Sequence, residues 1–115
     1  MSYDISLTKN GKSVKVESFE EGGTYVLGGS SEADLNITYN YGWFYYRYLD
    51  EKKGIRWLYG KKGKDCIKRL KKAIKELGTN KYRDYWAPTP GNAGYALSIL
   101  LKWAKKNTEA TFGGD

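Results

Sequence analysis

The sequence predicts an α+β fold: a small N-terminal antiparallel sheet of about four strands packed against two C-terminal helices. Three observations point there. Short apolar–polar alternations broken by turn residues occupy the first 41 positions. Two capped stripes of helical period follow, over 65–78 and 89–104. The length, 115 residues, suits one core and is too short for two. Residues 1–107 therefore read as a single α+β domain and 108–115 as a flexible tail.

Tyr3, Ile5 and Leu7 alternate as the buried side of a strand does. Asn10-Gly11 then marks a hairpin, because both residues accept positive φ. Val14 and Val16 continue a second strand. Glu20–Gly23 reads as a break and Thr24–Leu27 as a third strand, stopped by Gly28-Gly29. Ser30-Ser31, Glu32 and Asp34 form a polar loop, and Leu35–Tyr41 a fourth strand. From Gly42 to Gly63 the period is undecided, since a short aromatic run fits helix or strand. Asp65 is an N-cap candidate for a helix carrying Ile67, Leu70, Ile74 and Leu77 on one stripe, stopped by Gly78. Thr89-Pro90 opens the last helix as cap and first-turn proline, with Ala93, Ala96, Leu97, Leu100, Leu101 and Ala104 on its buried side.

Composition excludes several functions. The chain has no histidine and one cysteine, Cys66, so Ser-His and Cys-His catalysis, the usual zinc sites and an intrachain disulfide are ruled out. The acids show neither metal-ligand spacing nor a catalytic pairing, and no Tyr, Lys or Arg is marked as activated. We read a binding protein rather than an enzyme, without cofactor or metal. No apolar run reaches a membrane span and no signal peptide is legible, which reads as a soluble, cytoplasmic chain. Charge is uneven: residues 1–46 carry −3, residues 47–83 carry +10 and residues 84–115 balance, giving the net +7. A basic block attracts phosphates at long range, although a Lys-rich surface also serves solubility alone.

Three stretches could carry binding chemistry. In NITYNYGWFYYRY, residues 36–48, seven of thirteen residues are aromatic. On a strand, Asn36, Thr38 and Asn40 share one face, which either meets solvent or lines a pocket. Asn is poor in strands, and amides beside rings such as Tyr41 and Tyr45 suit a base-reading site. In GIRWLYGKKGK, residues 54–64, Arg56, Lys61 and Lys64 stand among Trp57, Tyr59 and glycines; the spacing is not that of a phosphate loop. In DYWAPTPGNAGYAL, residues 84–97, the helix start at Thr89 and Asn92 offers backbone amides to an anion, and Trp86 packs or stacks nearby. The remaining cations, Lys68, Arg69, Lys71, Lys72 and Lys75, lie off the apolar stripe of the first long helix.

NITYNY with a following FYY, then GIRWLYGKKG, then DYWAPTPGNA, resembles the pattern of a group of small, mostly uncharacterised phage and prophage proteins of similar length. The likeness runs from about Thr24 to Ala104, plus the N-terminal ISL. Lys62 and Pro90 depart from it, standing where such proteins more often carry Thr and Glu, and the Lys-rich helix is more basic than theirs. The resemblance implies a protein of the host bacterial cytoplasm and, by analogy, one that counters anti-phage defence.

The leading expectation is thus a non-enzymatic phage-type binder sequestering a nucleotide-like anion. Asn36, Thr38, Asn40, Tyr41, Tyr45, Arg56, Tyr59, Trp86, Thr89 and Asn92 would line its site. The alternatives are a nucleic-acid-binding or nuclease-inhibiting protein using Lys61, Lys64, Lys68, Arg69, Lys71, Lys72 and Lys75, and a protein–protein inhibitor of a bacterial defence protein using an aromatic surface. With 18 aromatics in so short a chain, a homo-oligomer is also expected.

Overall fold

The computed structural model describes residues 1–16, 20–21, 24–26 and 32–115, with 20–21 and 24–26 described as backbone only. The class is α+β, with an antiparallel sheet formed largely from the N-terminal third and helices after it. Strand β1 (Ser2–Lys9) turns through Asn10 (φ 54°) and Gly11 (φ 76°) into β2 (Lys12–Ser13). Positive φ at both turn positions is the geometry whose twist matches a hairpin, so this element forms from local chemistry. Val14 and Val16 continue beyond the short β2. The Val14 amide donates to Leu7 (3.1 Å), and Lys15 bridges to Glu32.

The expected break at Glu20 instead begins β3 (Glu20–Glu21), which pairs with β4 (Thr24–Val26). Leu27, the Gly28-Gly29 stop and Ser30-Ser31 lie outside the described residues. Strand β5 (Asp34–Thr38) pairs with both β4 and β1, placing Asp4 opposite Asn36 and Ser2 opposite Thr38. Tyr3, Ile5, Leu7, Leu35 and Ile37 turn to the core side and are buried.

Two expectations are corrected around the helices. Among the described residues there are three α-helices, not two: α1 (Gly42–Tyr48), α2 (Gly63–Leu77) and α3 (Pro90–Lys106), with 3-10 turns at Tyr39–Tyr41 and Gly54–Leu58. The stretch left undecided by its sequence is thus mostly helical. The supposed flexible tail is also ordered. Thr111–Gly114 forms β6 on the opposite side of β1 from β5, and Phe112 is buried in the core. An aromatic ring removed from water offsets the ordering of a short terminal strand.

This tail also explains why α2 starts at Gly63 rather than at an Asp65 cap. The Gly63 amide donates to Ala110 (2.8 Å) and the Lys64 amide to Thr108 (3.0 Å), so distant backbone satisfies first-turn donors. Helix α2 buries Cys66, Leu70, Ala73 and Leu77, with Ile67 and Ile74 at the rim. Burial pushes the Cys66 thiol up to about 11, so it behaves as a small apolar side chain. Helix α3 carries the other half of the core and also buries Trp103. Its first turns are small for a steric reason. A Cβ on Gly94 would lie 1.8 Å from the Gly78 oxygen, and one on Gly91 1.8 Å from the Asn80 oxygen. The chain leaving α2 therefore crosses directly over the start of α3. Among the described residues, no helix is long and apolar enough to cross a membrane.

Candidate functional site

The aromatic run does not continue as a strand past Thr38. The Thr38 hydroxyl accepts the Asn40 amide (3.2 Å) and caps the 3-10 turn, so Asn40 leaves the face that carries Asn36. The three polar residues thus have three different positions. Asn36 is buried and donates to Ser2 Oγ (2.6 Å) and Asp4 Oδ1 (2.5 Å) on the paired strand. Thr38 is buried at its cap. Asn40 is exposed and donates to the Trp86 main-chain oxygen (2.8 Å).

Tyr41 and Tyr45 face inward. The Tyr41 hydroxyl donates to the Tyr85 carbonyl, and the fully buried Tyr45 hydroxyl to the Ala93 carbonyl (3.0 Å). Burial raises the Tyr45 hydroxyl well above its ordinary value. Both side chains tie the start of α1 to the segment around α3.

Asn92 performs the same office from the other side. Its buried Oδ1 accepts the Tyr82 amide (2.9 Å), while Nδ2 donates to Asp84 and Ala87 carbonyls (3.0 Å each). The Thr89 hydroxyl accepts the Asn92 amide (3.2 Å) as N-cap of α3. Thr89 and Asn92 thus organise the 82–89 loop, and the crossing chain at Asn80 lies against the helix start.

Of the remaining predicted positions, Arg56 and Tyr59 share an acceptor, and Trp86 meets Asn40 through its main chain. The Arg56 guanidinium lies over the rings of Tyr3 (5.0 Å) and Tyr39 (5.8 Å). It donates to the Tyr39 hydroxyl and to the Asp115 main-chain oxygen (3.3 Å each). Among the described residues no side-chain carboxylate pairs with it. The Tyr59 hydroxyl donates to the same Asp115 oxygen (2.9 Å), and partial burial pushes its ionisation up to about 12. Tyr39 is 38% exposed and Trp86 49%. An oriented cation, two accessible rings and an exposed amide therefore lie along one connected path, Arg56–Tyr39–Asn40–Trp86.

The basic set divides as well. Lys61 donates to the Trp57 carbonyl (2.6 Å) and covers its ring (4.3 Å). Lys64 pairs with Glu109 (3.0 Å). Arg69 pairs with Asp50 (3.2 Å) and lies 4.1 Å over Trp57. Lys68, Lys71, Lys72 and Lys75 are exposed and, among the described residues, carry no ion pair. Sequence reasoning missed Tyr39, Trp43, Arg47 and Tyr48. The usable signal for Trp43 and Arg47 was helical spacing, since they lie one turn apart once the run is helical.

Comparisons with protein-family models, with curated proteins and with solved structures find no match to this chain.

Proposed function

We propose that the protein is a non-enzymatic binder of a nucleotide-like anionic ligand, using Arg56 for the phosphate, Tyr39 and Trp86 for stacking, and Asn40 for a base edge. One observation carries the reading. Arg56 is fixed by two rings and two hydrogen bonds, yet among the described residues no side-chain carboxylate pairs with it. A preorganised guanidinium without a side-chain carboxylate partner among the described residues suits recognition of phosphate or carboxylate. The exposed rings and amide beside it supply what a base requires: a stacking surface and a hydrogen-bonding edge. Thr38, Tyr41, Tyr45, Thr89 and Asn92 support this surface by fixing the turn and loop that present it, while Asn36 ties the paired strands and Tyr59 holds the Asp115 oxygen that Arg56 also meets. The resemblance to phage and prophage proteins supports a use in counter-defence, in which the protein withdraws a nucleotide signal of the host bacterium.

Thermal denaturation with a panel of cyclic and NAD-derived nucleotides tests the proposal. A cognate ligand at about 100 times its Kd stabilises the fold by about 2.7 kcal/mol, a rise in Tm on the order of 10 °C. The Asn40→Ala and Trp86→Ala variants should keep the unliganded Tm within a few degrees and lose most of that rise. A panel without any shift would sink the reading.

A further inference from the structure

A second surface, sharing no residue with the Arg56 path, is built for a larger ligand. Helices α1 and α2 leave between them an open groove of about 330 Å³, lined by Arg47, Tyr48, Asp50, Glu51, Arg69 and Lys72. Its three cations exceed its two acids by one, and one of the acids is taken up by Arg69. Asp50 is already committed. Its Oδ2 accepts the Lys52 and Lys53 amides (3.2 and 2.8 Å) and its Oδ1 accepts Arg69 (3.2 Å). These backbone bonds, led by Lys53, hold its carboxyl below the usual range. Arg47 and Lys72 have no ion pair among the described residues.

Lys68, Lys72 and Lys75 recur at helical spacing along α2, with Lys71 beside them, and all four are exposed. The column from Lys68 to Lys75 rises about 10 Å, long enough to follow consecutive phosphates rather than one. Tyr48 lines the groove with Arg47 and Lys72, and a second exposed ring lies one turn before Arg47 on α1. The Arg47 guanidinium lies 6.0 Å from the centre of the exposed Tyr48 ring. Trp43, one helical turn before Arg47, is 65% exposed.

We infer that this α1–α2 face binds single-stranded nucleic acid, with Arg47, Lys68, Lys71, Lys72 and Lys75 on the phosphates and Trp43 and Tyr48 stacking on bases. The pairing of features selects the ligand. A polyanion alone would use the cations and leave the rings idle, whereas a duplex keeps its base faces stacked inside. An unpaired strand presents consecutive phosphates and free base faces together.

Fluorescence anisotropy with a short labelled oligothymidine tests this. Five phosphate-contacting cations predict a slope of log K against log salt of about −3.5, a loss of roughly 100-fold between about 50 and 200 mM salt. Combined Lys68→Glu, Lys72→Glu and Lys75→Glu should weaken binding at least tenfold and flatten that slope, while the three Lys→Arg changes should retain it. Combined Trp43→Ala and Tyr48→Ala should weaken binding roughly tenfold with the slope unchanged. All five positions are exposed, and circular dichroism checks that each variant is folded. Four results would each overturn the inference: no binding at low salt, tighter binding of the matching duplex, no effect of removing the two rings, or equal competition by polyglutamate.

Discussion

Asn92 and Asn40 are both amides that sequence reasoning placed in one site, yet they belong to regions with opposite economies of hydrogen bonding. Around Asn92, Tyr41 and Tyr45, the described polar groups are spent inside the molecule, closing the 82–89 loop onto α3 and the 3-10 turn. Around Asn40, Arg56 and the α1–α2 face, rings and cations are oriented but left accessible. A residue type that looks out of place in a sequence therefore marks either region. What separates them is that the fold buries Asn92, Tyr41 and Tyr45 but leaves Tyr39, Asn40 and Trp86 exposed.

The sharpest way to break this comparison is to truncate the two amides separately. Asn92→Ala leaves the Tyr82 amide without its partner and takes one of two donors from each of the Asp84 and Ala87 carbonyls, and should cost about 1–3 kcal/mol in urea unfolding. Asn40→Ala removes one exposed bond and should cost under about 1 kcal/mol. Equal costs would contradict the division.

A smaller effect sharpens the picture on the sheet side. Burial, together with the Tyr46 and Tyr39 hydroxyls, raises the Tyr3 ionisation; burial raises those of Tyr45 and Tyr59, the last to about 12. In the unfolded chain these tyrosines lose their protons near 10.0, while the folded chain still holds them. Above that pH the native state binds more protons than the unfolded state, so stability falls as pH rises. The urea midpoint should be flat up to about pH 10 and drop between about 10 and 12. Tyr59→Phe should reduce the drop.

The smallest expected effect lies on the basic face. Single changes of Lys68, Lys72 or Lys75 to Ala should move stability by no more than about 0.5 kcal/mol, because exposed cations without ion pairs hold nothing together. A loss above about 1 kcal/mol at any of them would mean that these side chains serve the fold.

The legible parts of the fold were those encoded locally. The Asn10-Gly11 turn, the Tyr3–Leu7 alternation and the Thr89-Pro90 start each carry their cause within a few residues. The illegible parts depend on distant partners. The Thr111–Gly114 strand exists because β1 offers an open edge to it, and α2 begins at Gly63 because residues 108–110 cap it. Residues 42–48 carry no apolar period, since Trp43, Tyr46 and Tyr48 are exposed rings on a helix whose buried side is largely Tyr45. The candidate site was half legible for the same reason. The amides at 36 and 92 stood out by type, but their cross-strand partners are 32 and 34 residues away and their loop partners 5, 8 and 10. The path through Tyr39, Asn40 and Trp86 required the 3-10 turn at Thr38, which no strand-based alternation contains.

Native mass spectrometry of the protein purified from bacteria, supplemented with the nucleotide panel and compared before and after denaturing extraction, tests the central claim most directly. The account predicts a stoichiometric phosphorylated small-molecule adduct that is released on denaturation and lost in the Asn40→Ala and Trp86→Ala variants. A bare protein mass throughout the panel would contradict it.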